Sequence, residues 1–220
     1  MKKQKKIAII VSASVVGALA LALAIPFSIY GVRSASISNE YSYLLEEKKI
    51  TSKIIDGVPL IKQDISCGYA IIEMLSDFYG KKVTEKELSD KNGGGVSTQT
   101  TSGFVNEINE TISGANYVSK EYLKNDELLL TINSSLQKGK PVPVEWAAKL
   151  EDEWTLHWSI VTGMDEQNVY INNPYGYREQ ISYDEFIERT TFKPFDGVNF
   201  FQFGFAFGLF SKNTVIVPND

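Results

Sequence analysis

Residues 7–32 form a single run without a charged side chain, IAIIVSASVVGALALALAIPFSIYGV. As a helix those 26 residues would span about 39 Å at roughly 1.5 Å per residue, and about 20 residues suffice to cross a bilayer core. Four lysines (2, 3, 5 and 6) precede the run, and only Arg33 follows it closely. Positive charge is retained on the cytoplasmic side, so this asymmetry sends the rest of the chain outward. The expected organisation is a cytoplasmic basic tail at 1–6 and a single-pass transmembrane anchor or signal segment at 7–32. A cleaved signal peptide is the alternative. Its apolar region is usually about 7–15 residues and ends at a small-x-small site. Ala22-Leu23-Ala24 and Ser34-Ala35-Ser36 fit that site, but the length of the run favours an uncleaved anchor. Either way residues 34–220 lie outside the cytoplasm.

Four of the 22 basic residues lie before the run, which leaves 18 basic against 27 acidic residues beyond it, a net charge of −9. A nucleic-acid partner needs clustered Lys and Arg, and no such cluster follows residue 6. No GxxxxGK[ST] motif is present, so no nucleotide is expected. The chain has one cysteine and one histidine. No disulfide can form within it. Zinc sites draw three or four ligands mainly from Cys and His, so neither a metal nor another cofactor is expected.

The remaining pattern is helices first, strands later, an α+β layout. Residues 33–53 read as a stalk or N-terminal arm. Ala70, Ile71, Met74, Leu75 and Phe78 recur at helical spacing from Ser66 or Cys67 to Gly80. Thr84 and Glu87 have capping-box spacing, Phe104–Ile112 suggests a third helix and Leu128–Leu136 a fourth. After Pro141, residues 142–147, 156–162 and 169–172 read as strands, and Ser182 to Glu185 again has capping-box spacing. The main domain is expected at 54–192, with an aromatic-rich extension, 193–220, packing on it. Seven of the twelve phenylalanines lie between 195 and 210. Phe201, Phe203, Phe205 and Phe207 alternate with Gln202, Gly204 and Ala206, the period of a strand.

If the chain uses a thiol, Cys67 and His157 are its only candidates. Cys67 lies where a helix should begin, where free N–H groups and the helix dipole favour a thiolate. Gly68 beside it leaves room for a substrate carbonyl. Most lone cysteines are simply small buried hydrophobes. His157, between Leu156 and Trp158, could take the thiol proton and return it to a leaving amine. Asn173, sixteen residues on, could hold the imidazole ring, although Asn-Asn-Pro-Tyr-Gly is also a turn sequence. Gln63, four residues before Cys67, could donate to an oxyanion. Trp154, Trp158 and Tyr175 either line an apolar subsite or belong to the core.

These segments resemble papain-like cysteine peptidases, in particular the bacteriocin-processing (double-glycine leader peptidase) group and its extracellular look-alikes. The resemblance runs through Val58–Gln63, Cys67-Gly68, Phe78–Lys81, Lys138–Val142, His157–Gly163, Val169–Pro174 and Ser182–Phe186, in family order. It implies a papain-like fold in which a helix carrying the cysteine faces an antiparallel sheet carrying the histidine and its partner. It also implies Cys67 as nucleophile, His157 as base, Asn173 as the residue orienting it and Gln63 as oxyanion donor, acting on a peptide or protein. Two departures stand out. Tyr69 occupies a position that is usually proline, and could bring a ring near the pocket. Asn173 replaces the family's aspartate. A catalytically silent binding domain on this scaffold, or an acyl-transferring thiol enzyme, are the alternatives.

Overall fold

In the computed structural model of the chain, residues 2–37 and 40–219 are described, with 2–18 and 199 described by their backbone alone. A long helix, α1 (Lys2–Ala35), begins the chain. Among the described residues no helix is long and apolar enough to cross a membrane. Residues 7–18 of the uncharged run lie outside the residues described with side chains.

The next segment is an arm rather than a free stalk. It contains α2 (Ser42–Glu46) and β1 (Lys53–Ile54). Leu44 and Ile50 are buried in the main core, and Tyr43 Oη donates to Asp126 at 2.9 Å. Four helices follow: α3 (Cys67–Phe78), α4 (Glu85–Lys91), α5 (Thr101–Thr111) and α6 (Asn125–Gln137). Their starts follow from local chemistry. Ser66 caps α3 by accepting from Tyr69 N–H at 3.1 Å, and Thr84 and Glu87 form the expected capping box at α4. Each satisfies N–H groups that have no partner inside the helix.

The strands are β2 (Tyr117–Lys120), β3 (Val142–Leu150), β4 (Glu153–Met164), β5 (Asn168–Asn173), β6 (Tyr177–Ser182) and β7 (Thr214–Pro218). Helix α7 (Tyr183–Thr190) follows β6. The sheet order is β2-β7-β3-β4-β5-β6, with β1 added to β4, and every pairing is antiparallel. The β3–β4 hairpin sets Trp146 opposite His157 and Glu145 opposite Trp158. Successive side chains of a strand point to opposite faces. Phe104 of α5 meets Trp158 edge-on at 4.9 Å while Phe186 of α7 packs on Trp146 at 6.3 Å, so helices cover both faces of the hairpin.

The C-terminal stretch departs from expectation. The alternating phenylalanines form a helix, α8 (Asn199–Ala206), not a strand. Period two over four residues also contains two i, i+4 pairs, and those are what the fold uses. Phe201 and Phe205 face a second apolar cluster with Phe192, Phe195 and Phe210, while Phe203 and Phe207 stack with each other at 6.3 Å. Gly204 is required by this packing, since a Cβ there would lie 2.1 Å from the Phe210 ring. Beyond α8 the segment does more than pack on the domain, because β7 is an internal strand between β2 and β3.

Glu145 is buried in β3, where its nearest donor is Ser211 N–H at 3.5 Å. Burial, reinforced by the charge of Glu121, pushes its carboxyl up to about 8. The folded chain therefore holds a proton that the unfolded chain releases, and stability from this group is lost as pH rises from the ordinary carboxylate range through about 8. Glu145→Gln keeps a neutral group at every pH. Its stability advantage over the wild type should be small near pH 5 and grow to at most about 4 kcal/mol at pH 8, measured by urea unfolding at both pH values.

Candidate active site

The thiol segment is organised by one carboxylate. Glu85, buried at the start of α4, accepts the backbone N–H groups of Asp64, Ile65 and Ser66, each at 2.9 Å. This cradle shapes the loop between Gln63 and Cys67 and delivers Cys67 to the first position of α3. Gln63 N–H donates to Pro174 O at 2.7 Å, so Gln63 sits against the residue that follows Asn173. Its side-chain Oε1 is buried and accepts no hydrogen bond among the described residues.

The imidazole is organised by the sheet. His157 is 2% exposed and Asn173 fully buried. His157 Nε2 lies 3.0 Å from Asn173 Oδ1. Asn173 Nδ2 donates to Glu179 Oε1 at 2.9 Å, and Tyr175 N–H donates to Asn173 Oδ1 at 2.9 Å. With the amide nitrogen committed to Glu179, the amide oxygen faces the ring. Nε2 therefore carries the proton of the neutral ring, and Nδ1 is the free base. Glu179 accepts in turn from Arg189 Nη1 at 2.6 Å, and Arg189 pairs also with Glu185. The guanidinium lies over Trp146 at 4.9 Å and Trp154 at 5.2 Å. A line of polar groups thus runs from His157 through Asn173 and Glu179 to Arg189.

Cys67 reaches β4 at Trp158, the residue that follows His157 in the strand. The backbone N–H groups of Trp158, Gly68 and Cys67 lie against the sulfur and favour the thiolate, but burial is the larger effect and pushes the thiol up. The helix start therefore does not by itself produce the thiolate expected there. Burial likewise pulls the His157 imidazole down to about 4, against the opposing bond from Asn173. Desolvation thus disfavours the charged form of both groups.

The architecture brings Gln63 to the residue after Asn173, Asn173 to His157 and Cys67 to the strand of His157, while two neighbours take roles other than those expected. Gly68 does not open space for a substrate: a Cβ there would lie 2.2 Å from Thr98 Oγ1 and 2.5 Å from Thr98 Cβ. The missing side chain admits Thr98. Tyr69 turns away from the pocket and is fully buried, its hydroxyl donating to Gly95 O at 3.1 Å and accepting from Ser97 N–H at 3.0 Å. Trp158 is a core residue against Phe104, whereas Tyr175 stacks on the His157 ring at 4.0 Å. Glu85, Glu179 and Arg189 escaped the sequence reading. Glu85 occupies an ordinary first-turn position, and Glu179 meets Asn173 only through the diagonal of the β5–β6 pairing. Among the described residues no group of three or more His, Cys, Asp or Glu could hold a metal ion.

Residues 55–198 match the family described as "Peptidase_C39 like family". No curated protein matches the chain. Among solved structures, a protein described as a C39-like peptidase from Bacillus anthracis aligns at a TM-score of 0.50 and 15% identity, over 77% of this chain and 98% of that one. A double glycine motif protease from an AMS/PCAT transporter, in complex with the leader peptide, aligns at a TM-score of 0.49 and 15% identity, over 76% and 97%.

Two stability outcomes follow from these contacts. Gly68→Ala should cost about 1–3 kcal/mol by overpacking against Thr98, measured by denaturant unfolding. Glu179→Ala leaves the nearly buried Arg189 without one carboxylate and Asn173 Nδ2 without its acceptor. It should cost about 3 kcal/mol in the same measurement, and Glu179→Gln, which keeps an acceptor oxygen, should cost less.

Proposed function

We propose, on the premise that this chain belongs to the peptidase C39-like family and is a cysteine peptidase, that Cys67 cuts peptide bonds through a thioester on the outer side of a membrane. The observation that carries this reading is the buried His157–Asn173 bond at 3.0 Å. It leaves Nδ1 as a free base beside the strand whose Trp158 N–H lies against the sulfur. In the proposed reaction Nδ1 takes the thiol proton as the sulfur attacks the substrate carbonyl. The charge that develops on the carbonyl oxygen is received by Gln63 and by backbone N–H groups at the start of α3. The imidazolium, held by Asn173, returns its proton to the leaving amine. The resulting thioester on Cys67 is then hydrolysed by water that His157 activates in the same way. Asn173 supports the imidazolium as a neutral acceptor, with the Glu179 carboxylate one hydrogen bond further on.

The membrane placement is supported by the uncharged run at 7–32 and the lysines before it. It makes α1 an anchor that holds residues 34–220 outside the cell, with the N-terminus cytoplasmic. The substrate is accordingly an extracellular peptide or protein.

The reaction is tested by incubating the full chain with a mixed peptide library in ¹⁸O-water and reading new C-termini by mass spectrometry. Wild type should yield cleaved peptides that incorporate the label, and Cys67→Ala or His157→Ala should lower the rate by at least about 10³-fold. Cleavage that persists in Cys67→Ala would refute the assignment. A base has to be unprotonated to act, so activity should fall on the acid side only as pH drops through about 4, where burial holds His157. An acid limb of kcat/KM at the ordinary histidine value near 6.5 would show that the free site does not keep this imidazole desolvated.

A further inference from the structure

The patch on α8 is unusual for a water-facing surface. Phe200 is 71% exposed, Phe203 46%, Phe207 50% and Leu209 63%. Contiguous apolar patches of this kind mark contact with another apolar phase. The other face of the same helix is anchored in the domain through Phe201 and Phe205, so the exposed rings are held outward by a packed base.

The patch is continuous with the uncharged run. Phe27 of α1 meets Phe203 edge-on at 5.1 Å, and Tyr30 stacks on Phe205 at 5.4 Å. Phe27 is five residues, about 7.5 Å of helix, before the run ends at Val32. Helix α8 is therefore level with the last turns of the segment proposed to leave the bilayer. Apolar faces of interfacial helices lie about 5–10 Å deep. Cations occupy the same level. Lys212 Nζ lies over Tyr30 at 5.7 Å and over Phe205 at 5.5 Å, and Arg33 lies over Tyr122 at 5.3 Å. Cations beside aromatic rings suit the phosphate level of a bilayer. The catalytic geometry is compatible with this contact. Leu156 packs on the phenylalanine cluster, and its neighbour His157 points to the opposite face of β4.

We infer that α8 and the turn after it form a second membrane contact, with Phe200, Phe203, Phe207 and Leu209 seated in the outer leaflet beside α1. This rests on the anchor reading. It makes the peptidase domain a body docked against the bilayer at a set orientation, not one tethered at a distance.

Because Cys67 is the only cysteine, a Cys67→Ser background accepts a single nitroxide wherever a cysteine is introduced. The full chain would be reconstituted into vesicles of equal parts phosphatidylcholine and phosphatidylglycerol. Separate proteins would carry Phe200→Cys, Leu209→Cys, Ile25→Cys in α1 and Lys86→Cys on exposed α4. Each label's collision rate with oxygen and with a water-soluble nickel chelate is then measured by electron paramagnetic resonance. The inference expects the labels at 200 and 209 to favour oxygen over nickel, the reverse of the ratio at 86. Nickel-accessible labels at 200 and 209 would overturn it. With a lipid-exposed label at 25, that result would leave the anchor standing. A water-exposed label at 25 would refute the anchor instead, and the labels at 200 and 209 would still decide the contact by their own ratio. Labels at 200 and 209 shielded from both reagents would place a second protein copy on the patch and also overturn it. Phe200 and Leu209 are the most exposed of the four, so their replacement leaves the packed face of α8 intact.

Discussion

The hydrogen-bonded framework of the site converges on the corner between β5 and β6. Asn172 Nδ2 donates to Val58 O at 3.1 Å and to Pro59 O at 3.0 Å, which ties down the chain leading to Gln63. Asn173 holds His157 and is held by Glu179. Pro174 O accepts from Gln63 N–H. Three consecutive residues thereby join the thiol segment, the imidazole and the polar line behind it. This junction relates the two halves at hydrogen-bond accuracy, because the thiol segment comes from the helical part and the imidazole from the sheet. Buried amides of this kind are costly unless every group is satisfied. The corner can therefore adopt few alternatives, which gives the site its preorganisation.

The same burial sets the electrical state of the pair. Burial of His157 and partial burial of Cys67 disfavour the charged form of each, and neither carries enough hydrogen bonds to reverse that. Charge separation is then a property of the reacting complex. In the proposed reaction an incoming carbonyl supplies the electrophile, and Gln63 and backbone N–H groups at the start of α3 receive the negative charge. The departure from aspartate to asparagine at 173 fits this environment. A neutral acceptor orients the ring without adding a second buried charge, and the carboxylate is moved outward to Glu179, where it accepts from Arg189, whose guanidinium lies over Trp146 and Trp154.

Much of this was legible in the sequence, and what was not has a common cause. Helical periodicity located α3, α5 and α6, and the cap at Thr84 located α4, since these signals depend only on neighbours a few positions away. The strands of the β3–β4–β5 run were legible for the same reason. Strand β7 and the relay through Glu179 were not, because each is defined by pairing with residues far along the chain. The phenylalanines at 201–207 show the limit plainly. Their spacing satisfies a strand and a helix equally, and the contact between Gly204 and Phe210 decides for the helix.

By itself the sequence determined which chemistry was possible. One thiol and one imidazole leave a single candidate for a thiol nucleophile and a single candidate imidazole base, and an uncharged run of 26 residues follows the four N-terminal lysines. These are matters of composition and local order, which folding cannot alter. Tertiary structure alone decided that Gly68 makes way for Thr98 and that Tyr69 braces a loop, not the pocket. It also decided that Asn173 leans on a carboxylate and that burial disfavours the charged form of thiol and imidazole. Each of those depends on what surrounds a residue once water has been excluded. Desolvation and close packing belong to the assembled core, not to any short stretch of chain.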